Sequence, residues 1–352
     1  MVSYLDGFRL RSMGTLVIGV VVLAVVACGG SASSVTPVPT VPSAAPTATP
    51  APRVDGDAQA EVDRGDELAY TGRYDEALAA YNAALELDPD RLDALAGRGC
   101  AEIHTDVAAA IADLDKVIEL DPKSSDGFRC RAEARRVTGD LDAALADATK
   151  ALELDPSNAG VHVALGNTLD EMGRTAEAII EYGKGIELAS NQADRDTGLL
   201  ANAYNQRSIA RGRLDDKAGA ASDVDKAIEL DPEYGPAYAN RAMDAFWDGD
   251  CERAIADATK AIELQPDWPT AYGARALCLA DAGDLDGALA DATRAIELGR
   301  IDAFAYYTRG LIYAERGEDP EATTDLRKAI ELAPAADFAD EIRALMADYG
   351  LE

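Results

Sequence analysis

The chain has 352 residues, of which 48% are apolar and 6% aromatic, and its 64 acidic and 33 basic residues give a formal charge of -31. This charge argues against nucleic acid as a partner, because an acidic surface repels phosphate instead of releasing its counterions. Regularly spaced Ala, Leu and Ile argue against disorder, so the composition indicates an acidic, helical body with few groups suited to catalysis.

The first 27 residues have the pattern of a secretory signal peptide. Arg9 and Arg11 precede an uncharged apolar run over 15–27, which is too short to span a bilayer comfortably. Residues 25–28, Val-Val-Ala-Cys, resemble a bacterial lipobox, in which the cysteine becomes the lipidated first residue of the mature protein. Two acyl chains on Cys28 would give lasting membrane attachment. We therefore expect a lipid anchor at the extracytoplasmic face of the cell membrane; the alternative is an uncleaved N-terminal anchor.

Residues 28–57 are predicted to form a tether that begins at the lipidated cysteine. From 31 to 52 the sequence is Ser, Thr, Ala, Val and Pro, and it carries no charge between Arg11 and Arg53. Because proline fixes φ, we expect an extended and semi-rigid segment of roughly 3.1 Å per residue where it is polyproline-like. Such a segment would hold the folded part away from the membrane.

Beyond the tether, one sequence unit recurs every 33 or 34 residues. Its clearest mark is a Leu-Asp-Pro triplet or a close variant, at 87–89, 120–122, 154–156, 230–232, 264–266 and 332–334. The gap between 156 and 232 holds two periods and eight extra residues. We therefore assign four units to 58–192, an insertion to 193–200 and four units to 201–336. The insertion is expected to lengthen a helix or to bend the array.

Each unit is predicted to be a pair of antiparallel helices. The dipeptide Gly-Asp at 139–140, 249–250 and 283–284 places a residue that tolerates positive φ before a carboxylate suited to N-capping. After the last unit, residues 337–352 carry apolar side chains at helical spacing. They predict a capping helix, which repeat arrays need to cover their last apolar face.

The units resemble the tetratricopeptide repeat. Tyr238, Ala242, Ala254, Ala261 and Pro266 fill positions 4, 8, 20, 27 and 32, where the family pattern has an aromatic, a small residue, two alanines and a proline. The resemblance implies an all-α, right-handed superhelical solenoid of about eight helix-turn-helix repeats with a concave groove. It also implies a binding protein, not an enzyme, with no cofactor and no metal.

In that family, inward-facing side chains of the first helices contact a peptide or protein partner. Amides can hydrogen-bond a peptide backbone, and aromatic rings can anchor side chains. Carried over by position, the resemblance assigns to the groove Asn205, Gln206, Arg213, Asn240, Phe246, Trp247, Phe304, Tyr307 and Thr308. Core packing explains some of these residues equally well, notably Phe246.

Arginine recurs at position 7 of the units, where the family pattern prefers leucine, and aspartate recurs at position 23. One hypothesis makes the arginines an anion-binding ladder. The preferred hypothesis is that each arginine forms a hydrogen-bonded ion pair with the aspartate of its own repeat, because an unpaired charge between helices would be strongly destabilising. The fourth unit has Leu165 and Glu181 at these positions instead.

Four cysteines follow Cys28. Cys251 and Cys278 should lie at the same end of neighbouring helices, where a disulfide would fit an oxidising compartment. Cys100 and Cys130 are a poorer candidate pair, because they are staggered along adjacent first helices. Buried free thiols are the alternative for both pairs.

We expect an exported, membrane-tethered protein that holds a protein or peptide partner in its concave groove. The acidic surface favours a basic segment on that partner. The alternative function is a structural scaffold, or an assembly or secretion factor, for a complex of the cell envelope.

Overall fold

A computed structural model describes residues 55–192, 196–298, 303–333 and 336–351, and all regular secondary structure within these ranges is helical. The first eight helices are α1 (Asp55–Tyr70), α2 (Tyr74–Leu87), α3 (Leu92–Glu102), α4 (Val107–Leu120), α5 (Ser125–Val137), α6 (Leu141–Leu154), α7 (Ala159–Glu171) and α8 (Thr175–Ser190). The others are α9 (Thr197–Arg213), α10 (Lys217–Leu230), α11 (Gly235–Trp247), α12 (Cys251–Leu264), α13 (Pro269–Asp281), α14 (Leu285–Glu297), α15 (Ala303–Arg316), α16 (Asp319–Leu332) and α17 (Ala336–Asp348).

Tight turns join these helices into hairpins. Between α11 and α12, Gly249 has a φ of 78°, a conformation that side chains with a Cβ rarely adopt. The next residue, Asp250, caps α12 by accepting a hydrogen bond from the backbone N–H of Arg253. The same arrangement is present at 139–140 and 283–284, where the glycine φ values are 82° and 85°. The helical hairpins predicted from these dipeptides are therefore confirmed.

The described helices fall into two compact units that divide between Thr168 and Leu169, within α7. In the N-terminal unit, the first helices of consecutive repeats, α1, α3 and α5, pack in succession, and each also packs on the second helix of its own repeat. In the C-terminal unit, α9, α11, α13 and α15 pack in the same way, backed by α10, α12, α14 and α16. Each unit is thus a stack of helical hairpins, as expected of a solenoid of helical repeats.

The two helices of a hairpin meet at positions 8 and 24 of the repeat, and the side chains there are matched in size. A Cβ built on Gly310 would lie 2.9 Å from Cγ of Leu326, and glycine likewise faces Tyr81 and Leu114 in the first two repeats. Where position 24 is alanine, position 8 is also alanine, as with Ala242 and Ala258, which are both fully buried. Close approach of the helices therefore depends on the sum of the two side-chain volumes.

Both ends of the C-terminal stack follow the expectations from the sequence. Helix α9 has 17 residues against 13 in α11, because it begins at Thr197 within the predicted insertion. The insertion therefore lengthens a helix; its residues 193–195 lie outside the described part. At the other end, Ile342, Leu345 and Met346 of α17 pack into the core formed by α15 and α16.

The predicted signal peptide, Cys28 and the tether up to residue 54 lie outside the described residues. Helix α1 begins at Asp55, within the last three residues assigned to the tether. No helix in the described part of the chain is long and apolar enough to cross a membrane.

Candidate functional site

The repeated arginines bind carboxylates of the protein itself. In six repeats, Nε and Nη2 of the arginine donate to the two carboxylate oxygens of the aspartate 15 or 16 residues later, at 2.6–3.0 Å. The pairs are Arg98–Asp113, Arg131–Asp147, Arg207–Asp223, Arg241–Asp257, Arg275–Asp291 and Arg309–Asp325. The ion-pair hypothesis is confirmed, and the alternative of an anion-binding ladder is wrong, because the guanidinium donors already serve these carboxylates.

Several of these arginines also connect consecutive repeats. Nη1 of Arg241 donates to Asp225 of the preceding repeat at 2.8 Å, and Nη1 of Arg131 donates to Asp115 at 2.6 Å. The guanidinium of Arg241 also lies over the ring of Tyr238, one turn earlier in the same helix. The two hydrogen bonds fix each first helix against the second helix of the preceding repeat, and so they position the surface that the first helices present.

The first helices of the last four repeats surround a cavity of about 200 Å³, to which α10 and α14 also contribute. Its apolar lining includes Ile209 of α9, Met243 and Trp247 of α11, and Phe304 of α15. All of these except Phe304 are only partly buried. A cavity with partly exposed apolar walls is the ordinary form of a site that buries a ligand side chain.

Aromatic side chains from two repeats form one side of this cavity. The ring of Trp247 lies 4.9 Å from that of Phe246 and 6.5 Å from that of Phe304, measured between centroids. The chain of rings continues to Tyr307, 6.2 Å from Phe304. Trp247 and Phe304 line the cavity, whereas Phe246 packs against the buried cluster of Ala245, Ala254 and Cys278.

Polar groups occupy the part of the cavity formed by α9 and α11. Nδ2 of Asn240 donates a 2.8 Å hydrogen bond to Oδ1 of Asn205, which is buried. Nη1 of Arg213 donates to Oδ2 of Asp170 in an ion pair that is largely shielded from solvent. The charge of Arg213 is therefore balanced within the protein.

Two further carboxylates line the cavity, Asp244 near the end of α11 and Asp248, the C-cap of that helix, one turn later. Loss of surrounding water and, less strongly, the charge of Asp248 raise the pKa of Asp244 to about 6, whereas Lys217 and Arg253 oppose the shift. Asp244 is open to solvent on the cavity side, but the surrounding walls replace enough water to disfavour its charged form.

Of the nine residues assigned to the groove from the sequence, four line the cavity: Arg213, Asn240, Trp247 and Phe304. Asn205 and Phe246 contact members of that set. Gln206 is half-buried on α9 and is not among the lining residues.

Tyr307 and Thr308 do not lie on the cavity surface. Tyr307 is buried in the core of the C-terminal repeats, and Thr308 has no exposed surface at all. Position in the repeat predicted an inward-facing side chain, but Tyr307 packs in the core that also contains Ile342, Leu345 and Met346 of α17. Sequence reasoning missed Met243 and Asp244, although they share the helical face of Asn240 and Trp247.

The four cysteines after Cys28 form two disulfides. Cys251 of α12 is joined to Cys278 of α13, with their Cα atoms 5.2 Å apart. Cys100 of α3 is joined to Cys130 of α5, with a Cα separation of 5.4 Å. The second pair corrects the expectation that stagger separates these two residues, because α3 and α5 pack with an offset that brings them together. Each disulfide links two neighbouring repeats.

No group of three His, Cys, Asp or Glu residues in the described ranges is arranged to hold a metal ion. The charged and amide residues that line the cavity are Arg213, Lys217, Asn240, Asp244 and Asp248, which suit hydrogen bonding and charge recognition.

The fold resembles that of several solved structures. A chain of the APC/C hetero-tetramer Cut9-Hcn1 superposes with a TM-score of 0.68 at 16% identity over 80% of this chain and 54% of that chain. The protein thus spans about half the length of that chain. A tetratricopeptide repeat protein from Parabacteroides merdae matches at 18% identity and a TM-score of 0.49, over 83% of this chain and 99% of that one. MamA matches at 28% identity and a TM-score of 0.38, over 47% and 93%.

No curated protein matches the sequence at a significant level. Family models described as tetratricopeptide repeats match residues 65–101, 138–202, 239–303 and 303–336. Together these segments cover more than half of the sequence and lie within the region of the repeated hairpins. The chain belongs to the tetratricopeptide repeat family.

Proposed function

We propose that the protein is exported, is held at the outer face of the cell membrane by a lipid on Cys28, and binds a protein or peptide partner in the cavity of its last four repeats. Tetratricopeptide repeats generally mediate protein–protein interactions. The observation that carries the proposal for this chain is the cavity between α9, α11, α13 and α15, where Trp247 and Met243 present apolar surface to solvent.

The cysteine pairs support the exported location. Disulfides persist in oxidising compartments and are rare where thiols are kept reduced. Both pairs downstream of Cys28 have their Cα atoms within 5.5 Å, although the four residues are spread over two separate parts of the repeat array. This agrees with a mature protein that lies beyond the cytoplasm, as the sequence of residues 1–28 suggests.

Site-specific photo-crosslinking in intact cells tests the binding site. A photoreactive amino acid in place of Trp247 should capture a partner protein. The same amino acid in place of Ile180, an exposed residue of α8 that does not line the cavity, should not. Equal capture at both positions, or capture only at Ile180, would refute the cavity as the binding site.

The same crosslinks distinguish a client-binding protein from a permanent scaffold. Cells can be shifted to medium with heavy isotopes before irradiation, so that newly made proteins are heavy and older ones are light. If the client exchanges, light repeat protein is crosslinked to heavy client. A fixed stoichiometric complex captures only partner of its own age, and this result would favour the scaffold.

The membrane anchor has an independent test. Cells fed a labelled fatty acid should incorporate label into the wild-type protein and not into Cys28→Ala. The variant should also move from the membrane fraction to the soluble fraction. Equal labelling of the two proteins would refute lipidation of Cys28.

A further inference from the structure

We propose that the cavity recognises a linear protein segment in which a large apolar side chain lies close to a lysine or arginine. The apolar side chain enters between Met243, Trp247 and Phe304. The cation pairs with Asp244 and Asp248. This inference rests on the proposed function, because it specifies the partner of the same site.

The apolar half of the motif follows from the cavity walls. Met243 and Trp247 approach from α11 and Phe304 from α15, two repeats further along the chain. Methionine and tryptophan side chains that remain partly exposed lose unfavourable contact with water when a partner covers them. The volume of about 200 Å³ gives room for a large side chain.

The cationic half follows from the charges that the protein leaves unbalanced. The carboxylates of Asp244 and Asp248 accept no hydrogen bond and form no ion pair within 4 Å among the described residues, whereas most arginines of the array are paired. Carboxylates at i and i+4 of a helix repel each other, so a cation between them relieves an existing repulsion.

The neighbouring cations do not provide that relief. Arg213 is balanced by Asp170, and Arg253 of α12 lies within 4 Å of Asp225 and Asp257. Lys217 of α10 is the remaining cation that lines the cavity; it favours the charged form of Asp244, but one lysine does not balance two lining carboxylates. The cavity therefore keeps a net negative charge, which attracts a basic group and repels an acidic one.

The spacing of the motif follows from the helix. Trp247 lies three residues from Asp244 and adjoins Asp248, so the apolar wall and the two carboxylates border one cavity. In an extended segment, residues i and i+2 project from the same side of the chain. The basic residue is thus expected two positions from the apolar one.

A phage library of random twelve-residue peptides, selected on the purified full-length chain in mild detergent, tests this inference. Selected sequences should be enriched in Phe, Leu, Met or Trp two positions from Lys or Arg. A selected synthetic peptide should bind Asp244→Asn/Asp248→Asn about tenfold more weakly than wild type. Its analogue with citrulline or norleucine in place of the cation should bind both proteins alike. Enrichment of acidic sequences, or of none, would overturn the inference.

Two matched variants protect the result from effects on net charge or folding. Glu119→Gln/Asp142→Asn removes two exposed carboxylates outside the cavity and should leave peptide affinity unchanged. Asp244→Lys/Asp248→Lys should lose the basic peptide and gain the same peptide carrying Glu at the basic position. If the Asn and Lys variants bind the peptides as wild type does, the carboxylates do not recognise the cation.

The outcome remains distinct from that of the proposed function. A partner crosslinked at Trp247 through a segment without a basic residue would leave the binding site standing and refute the motif. Absence of any partner at Trp247 would refute the site itself.

Discussion

Removal of one partner of the ion pair between Arg275 and Asp291 should strongly destabilise the seventh repeat. Removal of the second partner as well should add little. This pair suits a double-mutant cycle because it is bidentate, at 2.6 and 2.9 Å, and because no second cation of the described ranges lies within 4 Å of Asp291. Arg275→Leu is sterically acceptable, since the fourth repeat carries a buried leucine, Leu165, at the same position. Asp291→Asn keeps the shape of the side chain and removes its charge.

The expected magnitude follows from burial. The exposed fraction of the side chain is 22% for Arg275 and 11% for Asp291. Two unit charges about 4 Å apart attract by about 4 kcal/mol at an effective dielectric constant of about 20. Loss of one partner of a buried pair therefore lowers the free energy of unfolding by about 3 kcal/mol, because the other charge stays behind. Once one partner is absent, removal of the other adds little, so we expect a coupling energy of about 2 kcal/mol.

Repeat arrays open locally, so the assay must report on individual helices. Hydrogen exchange followed by mass spectrometry gives the opening free energy of amides in α13 and α14, and urea unfolding gives the global value. The pair Arg73–Glu76 is the control, because it has similar bidentate geometry at 2.7 and 2.5 Å but both side chains are more than half exposed. It should show no measurable coupling. Additive effects at Arg275 and Asp291, as at the surface pair, would refute the structural role of the repeated arginines.

Three further predictions concern stability. Glu102 has a pKa raised from 4.5 to about 7 by burial and by Asp113, so it weakens the fold progressively as pH rises from about 4.5 to about 7. Glu102→Gln should therefore gain up to about 3 kcal/mol at pH 8 and almost nothing below pH 4.5, as measured by urea unfolding at both pH values. Gly310→Ala should cost about 1–3 kcal/mol in thermal or urea unfolding, and Leu326→Ala in the same chain should relieve the overpacking; a neutral single variant would contradict the size matching. Thiol titration of the unfolded protein should find no free thiol downstream of Cys28 until a reductant is added, and four afterwards; reactive thiols beforehand would contradict both disulfides.

The features that the sequence predicts well are local. A Gly-Asp turn, an N-cap and an arginine paired with an aspartate 16 residues later all lie within one hairpin, and one repeat suffices to specify them. Contacts between repeats were predicted less well, because they depend on how first helices are offset. Comparison of repeat positions assumed helices in register and so placed Cys100 too far from Cys130.

The cavity shows the same limit. Asp170 and Arg213 are 43 residues apart, and Trp247 and Phe304 are farther apart still, so no single repeat contains the site. Position in the repeat selected Asn240 and Trp247, which line the cavity. It did not reveal that Thr308 is fully buried, since burial depends on the whole stack.

The size matching of positions 8 and 24 has a consequence for how such a chain is inherited. Gly310 faces Leu326 in one repeat, while Ala242 faces Ala258 in another. A genetic exchange with its breakpoint between the two helices of a hairpin would set alanine against leucine, or glycine against alanine, and leave a clash or a void. Only exchanges that copy an entire hairpin keep both partners together, so the hairpin is the unit in which this array can gain or lose members.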